Sequence, residues 1–331
     1  MTDSRAAAGG ARAADVDVVV VGAGFAGLYL LHKLRGLGFN VRVLETAGDV
    51  GGTWYWNRYP GARCDIPTTD YTYSFDPDLE IAWTWSEKYA TQPEILRYAQ
   101  FVADRYDLRR DIDFNTKVEA AHWDAAANRW RIRTSTDASI SAQHLIMASG
   151  CLSVPKAPDI PGAGRFQGPV YSTGRWPHQG VDFTGQRVAV IGTGSSGVQS
   201  IPLIAEQAAQ LTVFQRTPNY SIPAGNGPVA PERRAPLEAD RAAYRLAAKW
   251  SRAGVPSTPT QIYGRYSPPD VHAERFEAAW KAGELAPILG VFADQILFPD
   301  SNAIVAGKVR EKIRAVVANT ETADLLCPKD H

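Results

Sequence analysis

Two glycine-rich turns of the same spacing mark where this chain can do chemistry. Gly22, Gly24 and Gly27 form one G-x-G-x-x-G run, and Gly192, Gly194 and Gly197 form another. In such a turn the first glycine allows the tight bend and the second lets the backbone approach a pyrophosphate. The third lets the next helix pack closely on its strand, and the N-terminus of that helix supplies partial positive charge. The two turns differ at the end of the strand that follows. After the first stands Glu45, a carboxylate that can accept from both ribose hydroxyls and would repel a 2'-phosphate, so the ligand is FAD or NAD. After the second stand Gln215, Arg216 and Thr217, a guanidinium with a neighbouring hydroxyl, which suits the 2'-phosphate of NADPH. Thr193, Ser195 and Ser196 complete that turn. A ligand-free glycine turn and a solvated surface arginine are the competing readings. Together the two turns describe a flavoprotein reduced by NADPH.

The elements that must position these turns follow from periodicity and predict an α/β fold with two Rossmann-like dinucleotide-binding domains. Val16 to Val21 is a β-branched run that reads as a buried parallel strand, Leu28 to Leu37 has helical spacing, and Asn40 to Leu44 is the next strand. Arg187 to Ile191 and Leu211 to Phe214 repeat the pattern around the second turn. Residues 129–134, RWRIRT, alternate as a half-exposed strand, and Leu145 to Ala148 form an apolar strand ending in Ser149 and Gly150. After Phe214 the pattern is helical: Arg241 to Trp250, Ala273 to Ala282, and Asn302 to Val317 with Val305, Val309, Ile313 and Val316 on one stripe. The expected layout is a loose tail over 1–14, the N-terminal part of an FAD-binding domain over 15–152, a linker over 153–182, an NADPH-binding segment over 183–225, and a helical insertion or start of the remaining NADPH domain over 226–331. Only two strands are legible in the second domain, fewer than a doubly wound sheet needs.

Composition narrows the class further. The chain has 331 residues, 45% of them hydrophobic, and 35 basic against 35 acidic side chains. That balance, without a basic run, points away from a nucleic-acid surface and from electrostatic docking on a membrane. Cys64, Cys151 and Cys327 are odd in number, lack CxxC spacing and have no histidine pair nearby, so neither a disulfide frame nor a metal site is expected. The apolar run Val18 to Val21 is too short for a bilayer span or a signal core, and a cytoplasmic protein is expected.

Two further segments carry a resemblance. GGTWYWNRYPGARCD, residues 51–65, and FQGPVYSTGRWP, residues 166–177, resemble the type I Baeyer-Villiger monooxygenases. The first matches that family's pattern at Gly51, Gly52, Trp54, Tyr59, Pro60, Gly61 and Asp65. The second matches its fingerprint at Phe166, Gly168, Trp176 and Pro177, with Ser172 where the family has histidine. The resemblance implies an enzyme that uses FAD, NADPH and O2, with O2 adding at flavin C4a, to convert ketones to esters or lactones. A flavin-dependent N- or S-oxygenase and a non-catalytic FAD- and NADPH-binding remnant are the alternatives. It also implies that Gly22, Gly24, Gly27, Glu45, Gly52, Thr53, Trp54, Asp65 and Tyr71 serve FAD, with Val118 near the adenine, and that Asp65 is the active-site aspartate. Trp54 and Tyr71 are equally readable as core aromatics, and Asp65 as a loop or helix cap. The fingerprint segment would be a hinge whose aromatics couple the two domains, and Ser172 cannot supply a cationic contact there. In the family both domains are completed by further sequence that includes a Lys-Arg pair. The resemblance therefore implies that the C-terminal completion of both domains is missing, and that the chain is an incomplete fragment or partners a second polypeptide.

Overall fold

The computed structural model describes residues 14–156, 158–251, 254–256 and 259–329. The tail expected over 1–14 lies outside the described residues except for Ala14, which opens the first strand. In chain order the elements are β1 (Ala14–Val21), α1 (Phe25–Gly36), β2 (Val41–Leu44), α2 (Thr53–Trp56), α3 (Pro77–Ala82), α4 (Gln92–Arg105), β3 (Ile112–Asp113), β4 (Val118–Asp124), β5 (Arg129–Thr134) and β6 (Ser139–Met147). Then follow β7 (Arg187–Ile191), α5 (Ser195–Ala205), β8 (Gln210–Phe214), α6 (Pro231–Ala239), α7 (Arg241–Lys249), α8 (Pro269–Ala282), α9 (Leu285–Leu289), α10 (Pro299–Val316) and α11 (Thr320–Leu326). These elements form two compact units. The first comprises the chain up to Tyr59 with Gln92–Val181, the second Pro60–Thr91 with the chain from Asp182 onward. Residues 60–91, which the sequence places inside a continuous domain over 15–152, therefore group with the second glycine turn.

The first unit is built on a six-stranded sheet in the order β3-β2-β1-β6-β5-β4. β1 pairs in parallel with β2, Val18 opposite Val41, and with β6, Val19 opposite Leu145. Val18, Val19 and Val20 are buried, as a β-branched run covered on both faces requires. β5 and β4 extend the sheet antiparallel. Here alternation decides the faces: Ile132 joins Val16, Leu44, Ile140 and Ala142 in the core, while Arg131 and Arg133 turn outward to pair with Asp124 and Glu119. β6 runs longer than its apolar end, because residues 139–144 alternate against β5 and carry little hydrophobic signal. α4 buries one stripe, Ile95, Leu96, Tyr98, Ala99, Val102 and Ala103.

Among the described residues the sheet of the second unit consists of β7 and β8, paired in parallel, with Ile191 and Phe214 exposed at their ends. Its core lies among the helices, where Phe276, Ile288, Val291, Phe292, Val305 and Val309 pack together. Val316, expected on that stripe, is exposed, because α10 ends there. Inside, the Asp294 carboxylate accepts from the Gly264 N–H at 2.8 Å and the Ser301 hydroxyl at 2.7 Å, beside Arg265 at 3.3 Å. Residues 60–91 are held in the unit by charge and by backbone. Buried Glu80 of α3 takes Arg241 at 2.8 Å and Arg245 at 3.0 Å from α7, Asp70 accepts from the Tyr244 hydroxyl at 2.9 Å, and the Lys88 N–H donates to the Gly227 carbonyl at 2.8 Å. Removing one partner of such a buried pair strands a charge, which typically costs about 3–5 kcal/mol.

Candidate nucleotide-binding sites

In the first unit β1 ends at Val21 and the backbone turns at Gly22, whose φ of +105° is left-handed territory. A Cβ on Gly22 would sit 2.7 Å from the Ala148 carbonyl oxygen, and one on Gly27 would sit 1.9 Å from the Gly22 oxygen. Both positions therefore demand glycine, for the turn and for close helix packing. Gly52 and Gly24 touch backbone to backbone: a Cβ on Gly52 would lie 2.8 Å from the Gly24 Cα. The result is a floor without side chains beside the start of α1. That helix begins at Gly24 with no side-chain cap and no acidic residue in its first turn, so its N-terminus is suited to an anion.

Glu45 follows at the end of β2, and its environment adds a second duty to the expected one. It is 5% exposed, one carboxylate oxygen accepting from the Ala23 N–H at 2.6 Å and the other from the Ala47 N–H at 2.7 Å. The carboxylate thus fastens the glycine turn to the β2 loop while each oxygen keeps a further lone pair. Thr53 is exposed at the head of α2, and Trp54 is buried, its carbonyl accepting from the Gln92 amide. Val118 opens β4 and packs half-buried against the sheet core.

In the fingerprint segment of the same unit, Trp176 is buried and lies 5.7 Å from the Tyr171 ring. Phe166 is 66% exposed, so of the two fingerprint aromatics only Trp176 is a core side chain. Ser172 is exposed and its carbonyl accepts from the Arg175 N–H. Pro177 is half-buried, and Gly168 lies against the Phe166 ring, where a Cβ would come within 2.7 Å. His178, which the sequence reading passes over, meets the ring of Tyr55 edge-on at 5.1 Å and that of Trp56 at 6.3 Å. Desolvation and then the Arg58 charge hold its pKa below the usual histidine value.

The second unit repeats the turn with a more open floor. Gly192 has φ of +102°, and a Cβ on Gly197 would lie 2.5 Å from the Gly192 oxygen, so turn and helix packing recur. Around Gly194 a Cβ would meet nothing within 4 Å. α5 starts there without a side-chain cap or an acidic first-turn residue, and Ser195 and Ser196 lie in that turn. The Thr193 hydroxyl donates to the Gln215 side chain at 3.2 Å, and the Asn219 amide donates to the Thr193 carbonyl at 2.7 Å, bracing the turn against the end of β8. Arg216 and Thr217 are exposed, and Arg216 forms no ion pair among the described residues.

Asp65 and Tyr71 also belong to the second unit, whereas Thr53 and Trp54 belong to the first. Asp65 is exposed, and one oxygen of its carboxylate accepts from the Gln199 side-chain amide at 2.9 Å. Tyr71 is half-buried in the turn after Pro67. The neighbouring Cys64 is buried, and desolvation raises its thiol pKa to about 11, which makes it a poor nucleophile. Among the described residues no group of three or more His, Cys, Asp or Glu side chains is arranged to hold a metal, and no helix is long and apolar enough to cross a membrane.

Comparison with known proteins agrees with this architecture. Residues 19–238 match the family described as pyridine nucleotide-disulphide oxidoreductase. A Baeyer-Villiger monooxygenase of Pseudooceanicola batsensis is 40% identical over 96% of this chain, and a phenazine N-monooxygenase of Lysobacter antibioticus is 39% identical over 95%. The solved structure of an oxidized steroid monooxygenase bound to NADP superposes with a TM-score of 0.91 at 52% identity, covering 96% of this chain. The chain spans 58% of the length of those two curated relatives and 60% of that solved chain. With both glycine turns, the RYPG segment and the fingerprint in place, the chain belongs to the pyridine nucleotide-disulphide oxidoreductase family and, within it, is a relative of the Baeyer-Villiger flavoprotein monooxygenases.

Proposed function

We propose that this chain carries the FAD- and NADPH-binding machinery of a flavin monooxygenase that uses O2 to convert ketones to esters or lactones. One observation carries the reading: two uncapped, glycine-floored helix starts are followed by strand ends of opposite chemistry, Glu45 after the first and Gln215-Arg216-Thr217 after the second. FAD fits the first. The Gly24–Gly52 floor admits close approach of a diphosphate, the leading N–H groups of α1 bind it, and the Glu45 carboxylate takes the ribose hydroxyls. Thr53, Trp54 and Tyr71 are assigned to the ring system and Val118 to the adenine end. Bound there, the flavin supplies hydride acceptance and oxygen activation.

NADPH fits the second turn, where Gly192, Gly194 and Gly197 leave the floor open and Arg216 and Thr217 offer a guanidinium and a hydroxyl to the 2'-phosphate. Asp65 is the carboxylate assigned to the reaction, and Phe166, Gly168, Ser172, Trp176 and Pro177 form the coupling segment. A ketone and O2 are the small-molecule partners. The similarity to a Baeyer-Villiger monooxygenase and to an NADP-bound steroid monooxygenase supports this reading.

The test is a titration of the purified chain with FAD, NADP+ and NAD+. FAD should bind, and NADP+ should bind more tightly than NAD+. Arg216→Ala should weaken NADP+ by about 10- to 100-fold, the effect of losing a charge-assisted phosphate contact, with NAD+ unaffected. Equal affinity for the two nicotinamide nucleotides in the parent chain would overturn the assignment of the second turn. N-oxygenation is the second reading, favoured by the phenazine N-monooxygenase relative. Labelled dioxygen recovered in an ester from a ketone, or in an N-oxide from a phenazine, separates the two.

A further inference from the structure

We infer that Gln199 is a positioning residue that seats the Asp65 carboxylate on the helix whose N-terminus receives the nicotinamide nucleotide. Gln199 lies on α5 one helical turn beyond Ser195, on the same face of the helix. Its side-chain amide donates to the Asp65 Oδ1 at 2.9 Å and to the Arg63 carbonyl at 3.2 Å, and its carbonyl accepts from the Arg63 N–H at 3.4 Å. A primary amide has two donors and one carbonyl, and this one directs both kinds of group at two residues of a single stretch, Arg63 and Asp65.

The backbone enforces the same contact. Gly61 has φ of +77°, and a Cβ there would lie 2.3 Å from the Gln199 carbonyl oxygen and 3.2 Å from the Leu203 Cδ1. Only glycine lets the stretch lie this closely on α5. From the other side, the Cys64 N–H donates to the Ala90 carbonyl at 3.1 Å, Arg63 bridges to Thr91, and its guanidinium pairs with Glu87 at 3.2 Å. The segment is therefore clamped from two sides, and the exposed Asp65 carboxylate takes its direction from a charge-assisted bond to α5. A small shift in the first turn of α5 on taking a diphosphate reaches Asp65 through one turn of helix and one side chain. This inference rests on the reading of the second turn as a nucleotide site.

The experiment uses the full chain carrying carbonyl-labelled aspartate, with the Asp65 carboxylate resonance identified by its loss in Asp65→Asn. Two measurements are made on the parent chain, Gln199→Leu and the near-isosteric Gln199→Glu, which lacks the donors. Without nucleotide, both variants should displace the Asp65 resonance, and an unchanged position would overturn the link. With NADP+, the parent resonance should move saturably along with binding, while Gln199→Leu should keep its nucleotide affinity and lose the Asp65 response. A full response in Gln199→Leu, or none in a parent chain saturated with NADP+, would overturn the transmission. Failure of the parent chain to bind NADP+ would instead remove the nucleotide assignment, and the inference with it, leaving the nucleotide-free comparison to decide whether Gln199 still seats Asp65.

Discussion

Replacing Glu45 with glutamine tests whether the carboxylate works on the fold as well as on the ligand. In the parent chain it accepts two backbone N–H groups, Ala23 at 2.6 Å and Ala47 at 2.7 Å, and is almost fully buried. Hydrogen bonds to a charged group contribute about 1.5–3 kcal/mol each. Glutamine keeps one acceptor and turns an NH2 toward the other N–H, so one bond is lost and one buried donor is left unmade, for a combined loss of about 2–4 kcal/mol. At about 1.4 kcal/mol per tenfold, amide exchange near the first glycine turn and the end of β2 should accelerate by about 30- to 700-fold. On the proposed ribose role of Glu45, FAD affinity should fall by at least about tenfold, since that acceptor would be weakened together with the turn. Exchange followed by peptide mass spectrometry reads the first effect and a flavin titration the second. If Glu45→Gln left exchange at the glycine turn at the parent rate, the dual role would be wrong, and a drop in FAD affinity alone would confine Glu45 to the ribose.

Three further outcomes follow from the second unit and the cysteines. Gly61→Ala and Gly185→Ala both place a side chain at positive φ, +77° and +72°, but only Gly61 has a neighbour in the way. Both should lose about 1 kcal/mol to backbone strain, and Gly61→Ala a further ~1–3 kcal/mol to overpacking against Gln199. Urea titrations showing equal losses would refute the close approach. Burial pushes the Asp70 carboxyl above its ordinary 3.8, against the opposing hydrogen bond from Tyr244. The folded chain then holds that proton to higher pH than the unfolded chain does, so its contribution is full below 3.8 and is lost as pH rises through the folded value. Asp70→Asn should flatten that decline in pH-dependent denaturation, and an unaltered slope would show that Asp70 is not its source. Native alkylation at mildly alkaline pH should modify exposed Cys151 and spare Cys64, whose thiol is raised to about 11. Modification of Cys64 at the same rate would contradict its burial.

Much of the geometry of the two glycine turns is legible from spacing, because a tight turn and close helix packing are local demands. Gly22 and Gly27 are required by contacts within their own β-turn-α unit and with the end of β6; in the second turn Gly192 is required by its positive φ and Gly197 by its contact with the Gly192 oxygen. The RWRIRT strand is legible because alternation is a period-two signal: Ile132 faces in, and Arg131 and Arg133 face out. Long-range choices leave no such trace. Nothing near Gly61 announces that its neighbour is Gln199, more than a hundred positions along the chain, and the only hint is that Gln199 falls one turn after Ser195. Residues 60–91 look continuous with the first domain because they follow its motif, yet Glu80 and Asp70 find their partners in Arg241, Arg245 and Tyr244. Glu45 reads as a ribose acceptor, and its hold on Ala23 and Ala47 emerges only once β2 is docked beside the turn.

The assignment of residues 60–91 to the second unit bears on how such enzymes can be recombined. A chimera that exchanges the second unit with a single junction near residue 182 would join one parent's Gly61, Asp70 and Glu80 to another parent's Gln199, Tyr244, Arg241 and Arg245. Crossovers placed at 59/60, 91/92 and 181/182 keep those partners from one ancestor, so the natural unit of exchange in this fold is a discontinuous one.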